Sequence, residues 1–278
     1  MPSFVPFQQH EELTTRISNI LNEYVVSTSV LREFVQNADD AGASRFALCL
    51  DLTSRAADGR EGLLSPRLGE YQGPALLAYN NAPFSDADFA SIVKVGRSGK
   101  ASDAATIGKY GLGFNVSYHF ADVVSFVSRD QLVLFDPHGT ALPDGLLGLR
   151  ADFSQDGWAE RHAEQLRPFA GAPRALGGGW AWDGAAPPPP LDGTLFRLPL
   201  RTRAQAARSR LSARAWLADD GSARVDDELG AMLRDFGAAA PELLLFLQHV
   251  EEIAVYVNAT GSFELECSTD TAETFSRQ

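Results

Sequence analysis

Two separated segments, LREFVQNADD at 31–40 and IGKYGLGFN at 107–115, constrain this chain more than any other feature. On an α-helix Glu33, Asn37 and Asp40 stand at i, i+4 and i+7, and at about 100° per residue they fall within an arc of roughly 60°. Leu31, Phe34, Val35 and Ala38 lie on the other side. The helix therefore has an apolar face to bury and a polar stripe left facing a cavity. A carboxylate and an amide one turn apart suit two tasks. Glu33 can orient and deprotonate a water, and the Asn37 side-chain oxygen can hold a hard cation such as magnesium. A solvated amphipathic helix carries the same pattern, so the helix alone leaves both readings open.

The second segment adds Gly108, Gly111 and Gly113, followed by an aromatic helix start over 114–120. Glycine permits positive φ and close approach of the backbone to a ligand, and the free N–H groups of a helix start point at an anion. Two familiar phosphate loops are excluded. In G-x-x-x-x-G-K-[ST] the pair Gly99-Lys100 would have to be followed by Ser or Thr, but Ala101 follows, and Lys94 stands where the first glycine belongs. The dinucleotide fingerprint fails because position 116 is Val and no strand leads directly into Gly111.

The pattern Glu33-x-x-x-Asn37-x-x-Asp40 with Gly108-x-x-Gly111-x-Gly113-Phe114 resembles the two defining boxes of the GHKL superfamily: gyrase, the ninety-kilodalton heat-shock chaperone, sensor histidine kinases and MutL. It is most similar to the chaperone-like repeat domain of sacsin-type proteins. That resemblance rests on LREFVQNADDAGA (31–43), LAYNNAPF (77–84), Arg97-Ser-Gly-Lys100, IGKYGLGFNVSYH (107–119), Phe135-Asp-Pro-His138 and GTLFRLPL (193–200), and covers most of residues 5–200. It implies an ATP-binding module with Mg2+ as cofactor. Glu33 would be the general base, Asn37 the magnesium ligand and Asp40 a contact near the sugar or phosphates. Gly108, Gly111 and Gly113, with Phe114 behind them, would form the phosphate loop. Residues 94–106 would be a lid hinged at Gly96 and Gly99. Arg97 and Lys100 would reach the terminal phosphate, with ordinary surface charge as their alternative. Thr194 would sit near the adenine, or serve simply as a strand threonine.

One stretch departs from the hydrolysing relatives. Where they read the adenine amino group with an aspartate in an Asp-x-Gly-x-Gly turn, this chain has Asn80-Asn81-Ala82-Pro83-Phe84. Asn80 can still accept a hydrogen bond. Replacing a charge-assisted bond (about 1.5–3 kcal/mol) by a neutral one (about 0.5–1.5) weakens binding by roughly 1 kcal/mol, and Phe84 adds bulk. Chaperone-class relatives also complete their site with a basic residue from a following domain. Without it, hydrolysis is expected to be slow. Two functions therefore remain: a slow Mg2+-dependent ATPase module acting with other chaperones or client proteins, and a nucleotide-free scaffold that keeps the fold. A histidine-kinase reading fares worse, since no phospho-acceptor helix precedes the segment.

Composition narrows the partners. A net charge of −12 argues against nucleic acid or an anionic membrane, each of which wants a basic face. Only Cys49 and Cys267 occur, the five histidines are scattered, and no apolar run approaches a membrane span. A disulfide framework and a multi-cysteine zinc site find no support, and a cytoplasmic setting is expected.

Periodicity predicts helices over 11–24 and 86–93, the latter capped by Ser85, and strands over 46–52 and 74–79. A hairpin of 123–127 with 131–135 should turn at Arg129-Asp130. Residues 140–192 read as an irregular insertion whose Trp180 and Trp182 pack back on the sheet. Residues 194–200 return to strand, and helices follow over 202–216, 226–236 and 241–249, with the leucine-rich run at 243–247 buried. The expected fold class is α+β, a two-layer sandwich of the GHKL (Bergerat) type with a mixed, mostly antiparallel sheet and helices on one face. The ATP-binding domain would span 1–200, and 201–278 would be a helical extension and the start of a following domain.

Overall fold

A computed structural model describes residues 11–53, 61–93, 113–180, 182, 184, 187–217 and 227–271. Its centre is an eight-stranded sheet in the order β5-β4-β3-β6-β2-β1-β7-β8. The strands are β1 (Arg45–Asp51), β2 (Ala75–Asn80), β3 (Val124–Arg129), β4 (Gln131–Phe135), β5 (Gly148–Asp152), β6 (Leu191–Pro199), β7 (Glu252–Asn258) and β8 (Phe263–Asp270). Every neighbouring pair is antiparallel except β1 with β7. The α+β sandwich with a mixed sheet is thus as expected.

Successive strand residues point to opposite faces, and both faces are buried. Phe46, Leu48, Leu76, Ala78, Val124, Phe126, Leu198, Ile253 and Val255 join the helical core. That core is closed by α1 (Leu13–Glu23), α2 (Thr28–Asp40), α3 (Asp86–Ile92) and α8 (Asp227–Leu244). Ala47, Cys49, Leu77, Tyr79, Val127, Leu132 and Leu195 face the other way. There the irregular insertion covers them with Leu166, Phe169, Trp180 and Trp182, both tryptophans being buried as expected. The stretch expected as irregular, 140–192, also contributes edge strand β5, which pairs with β4, and among its described residues the α-helices are single turns, α4 (Trp158–Arg161), α5 (Ala163–Leu166) and α6 (Ala172–Ala175).

Local chemistry explains the element ends. The Ser27 hydroxyl accepts the Ser29 N–H at the start of α2, and Ser85 with Asp88 forms a reciprocal capping box at α3. The hairpin turns where expected. Arg129 adopts φ +57°, a strained conformation for a non-glycine residue, and its guanidinium pairs with Asp86 at 2.9 Å.

Several sequence expectations are corrected. The helix expected over 202–216 is confined to α7 (Arg203–Arg208), because the Ser209 hydroxyl draws in the N–H groups of Leu211 and Ser212 and turns the chain. The two helices expected over 226–236 and 241–249 are one, α8, which continues through Pro241 to Leu244. The helix then ends, so Leu245 and Phe246 point outward at 42% and 83% exposure rather than into the core. Residues beyond 200, expected as an extension and the start of a following domain, supply α7, α8 and two strands of this same sheet. The junction is held by Asp39, whose buried carboxylate accepts the N–H groups of Gln248, His249 and Val250 at 2.7–3.1 Å just before β7.

Candidate functional site

The α2 stripe forms because Leu31, Phe34, Val35 and Ala38 are buried, which leaves Glu33, Asn37 and Asp40 half-buried along the opposite side. Gly113 opens a 3-10 helix, Gly113–His119, that packs against α2. A Cβ at Gly113 would stand 2.8 Å from Glu33 Oε2 and 3.5 Å from both Asn37 Oδ1 and Nδ2. Two segments about 80 residues apart in sequence thus converge, and glycine is what lets the backbone approach both polar heads. Burial, and after it the neighbouring Asp40 carboxylate, raises the Glu33 pKa above the usual carboxylate value. Asp40 also accepts a 3.4 Å bond from Gln36 Nε2.

The 3-10 helix is anchored at its far end. Fully buried Arg201 pairs with Asp122 at 2.9 Å and donates to the carbonyls of Tyr118, His119 and Ala121. Burial lowers the His119 pKa to about 4, with Arg201 and Arg214 adding to the shift, so the ring is neutral at physiological pH.

Asn80, Phe114 and Asn37 also meet, around a space beside the polar stripe. It is bounded by Phe34, Asn37, Phe46, Ala78, Asn80, Phe84, Phe114 and Phe196, and its volume is ≈ 20 Å³. Phe84, only 4% exposed, packs its ring at centroid distances of 5.3 Å on Phe89, 4.9 Å on Phe126 and 6.1 Å on Phe196. Phe114 packs on Phe196 at 6.0 Å and on Phe135 at 5.5 Å. The turn carrying Phe84 is pinned as well. Asn80 Oδ1 accepts the Ala82 N–H, Ser128 Oγ accepts the Phe84 N–H, and Thr194 Oγ1 donates to the Ala82 carbonyl. Thr194 is therefore committed to the turn and to Ser128, 2.9 Å away.

The groups implied by the resemblance fit unequally. Glu33 and Asn37 present oxygen donors side by side, the kind a magnesium ion takes together with phosphate oxygens. Among the described residues no group of three or more His, Cys, Asp or Glu is placed to hold a metal alone. The space next to Asn80 admits about one water and no purine. Arg97, Lys100, Gly108 and Gly111, with the expected lid over 94–106, lie outside the described residues. Sequence reasoning missed Ser128, Asp39 and Arg201. Ser128 meets Phe84, Arg201 meets Asp122 and Asp39 meets Val250 across 44, 79 and 211 positions, and no local pattern marks them.

The Sacsin domain family model matches residues 10–270. The chain is 34% identical over 254 residues to Sacsin from Homo sapiens, an alignment covering 88% of this chain and 5% of that protein. This chain belongs to the Sacsin domain family. It corresponds to a small part of the length of that relative. A crystal structure of the N-terminal domain of a DNA repair protein superposes with a TM-score of 0.43 and 10% identity, over 94% of this chain and 58% of the other, a likeness too low to bear on function. Among the described residues no helix is long and apolar enough to cross a membrane.

Proposed function

We propose that this Sacsin-type domain is an ATP-binding, chaperone-like module of the GHKL kind. In this reading the phosphate end of the nucleotide lies at the meeting of α2 and Gly113, Asn37 supplies a ligand to Mg2+, and Glu33 holds the attacking water in slow hydrolysis. The observation that carries the proposal is the convergence of Glu33 and Asn37 on Gly113. A side chain at position 113 would collide with the Glu33 carboxylate, so the glycine keeps the backbone N–H groups close to both polar heads. Asp40, Asn80, Phe114 and Thr194 would then surround the sugar and base, with Arg97, Lys100, Gly108 and Gly111 contributing from the sequence between α3 and the 3-10 helix.

The filled space beside Asn80 favours a second reading, a nucleotide-free interaction domain that keeps the fold. Titration calorimetry with Mg-ATP, on the parent chain and on Asn37→Ala, separates the two. Saturable heat in the parent that disappears in the variant supports binding, and flat traces in both support the interaction domain. For turnover, Glu33→Ala should keep binding and lose phosphate release. Equal release rates would remove Glu33 from its role.

A further inference from the structure

The rings that close the space beside Asn80 are not equivalent. Phe46 and Phe196 rise from β1 and β6, strands paired on both sides within the sheet. Neither lines the apolar cleft beside this cluster, whereas the Phe84 ring packs at 5.3 Å on Phe89, which does. Phe84 instead follows β2 in a turn whose backbone is tied down at Ala82 and at its own N–H. Its ring can therefore leave by side-chain rotation while the turn stays in place. There is apolar room nearby: a half-open cleft of ≈ 570 Å³, lined by Phe89, Ile92, Phe114, Val133 and Phe135, shares Phe89 and Phe114 with the aromatic cluster. Rings displaced toward that cleft would remain among apolar neighbours. The polar groups bounding the filled space are two amides, Asn37 and Asn80, suited to the donor and acceptor edge of a flat heteroaromatic ring.

We propose that the Phe84 ring is a plug that stands in for a base. The compartment bounded by Asn37, Phe46, Ala78 and Asn80 admits a planar heteroaromatic group, such as a nucleotide base, only when this ring swings toward the neighbouring cleft. Phe84 then sets the affinity of the site, because a ligand that needs the open state is weakened by the fraction of time that state is absent. For nucleotides the inference rests on the reading of α2 and Gly113 given above. The existence of a plugged compartment does not.

The test uses the 278-residue chain and its Phe84→Ala and Phe84→Leu variants, each checked for a cooperative melt. Two probes are titrated, indole and Mg-ATP. An emptied apolar space of this kind takes up small aromatic molecules, so indole should bind Phe84→Ala and not the parent. Mg-ATP should bind Phe84→Ala at least about tenfold more tightly than the parent, with Phe84→Leu between them. Indole binding to Phe84→Ala with no Mg-ATP heat in any chain would uphold the plug and sink the nucleotide reading. Mg-ATP binding of equal strength in all three chains, or no indole binding to a folded Phe84→Ala, would overturn the plug. If Phe84→Ala does not melt cooperatively, Phe84→Leu decides by the same Mg-ATP comparison.

Discussion

The two halves of the candidate site were built by different rules. In the polar half, Glu33 and Asn37 meet Gly113 across a gap that a methyl group would close. In the aromatic half, Phe84, Phe114 and Phe196 leave ≈ 20 Å³ next to Asn80. A polar half without a purpose is costly, because half-buried carboxylates and amides give up water for little return. An aromatic half is its own reward, each ring pair adding to the burial of its neighbours. On the proposed reading the first half serves the ligand's phosphates, while packing controls access to the second.

The strongest blow to both halves would fall at Arg201, the clamp on the 3-10 helix that supplies Gly113 and Phe114. Arg201→Ala leaves Asp122 buried without its cation and takes a donor from four carbonyls, those of Tyr118, His119, Ala121 and Arg214. A loss of about 3–5 kcal/mol is expected in denaturant unfolding. Because the clamp serves both halves, Mg-ATP and indole binding should weaken together in an Arg201→Ala, Phe84→Ala chain that still folds. If only one probe is affected, the halves are less coupled than the shared helix implies.

Acid should act on the same 3-10 helix with smaller effect. His119 is held neutral, its pKa lowered from 6.5 to about 4 by burial and by two nearby guanidiniums. Between those values the unfolded chain takes up a proton that the folded chain refuses. Stability therefore falls as pH drops from about 6.5 and the loss is complete below about 4. Thermal melts across that range check the sign, and His119→Gln should flatten the slope. An unchanged slope in that variant would assign the acid sensitivity to other groups.

What the sequence makes legible follows the same division. The α2 stripe is visible because a helix repeats every 3.6 residues and its apolar partners sit at the matching positions. Gly113 is visible as part of a glycine-rich run, but its meeting with Glu33 and Asn37 is not, since about 80 residues separate them and only the fold brings them together. The Asn80 turn is recognisable as a departure, and Phe84 as bulk. Its contacts are not, since Phe89, Phe126 and Phe196 come from a helix and two strands that only the folded sheet brings together. The same holds for β7, which pairs in parallel with β1 from some 200 residues away. The leucine-rich run at 243–247 misleads for a different reason. Composition marks it as core, but α8 stops at Leu244 and the direction of the next turn puts Phe246 in solvent.

The smallest effect expected, and the one that joins the two halves, is at Asn80. Asn80→Asp keeps an oxygen to accept the Ala82 N–H and offers a charged acceptor to the amino group of a base, worth roughly 1 kcal/mol over the amide. With Phe84 in place a base reaches the residue only when the ring has swung away, so the opening cost and the new contact multiply. The single variant should therefore bind Mg-ATP about fivefold more tightly than the parent, and unfold more easily because a charge is buried at a site only 7% exposed. In a Phe84→Ala background the same change should again tighten Mg-ATP by about fivefold, so the two substitutions should be additive. Calorimetry on the four chains of the cycle measures this directly. A gain at Asn80 confined to the Phe84→Ala background would mean that the parent binds nucleotide without its base entering the compartment, and would overturn the plug as what sets the affinity.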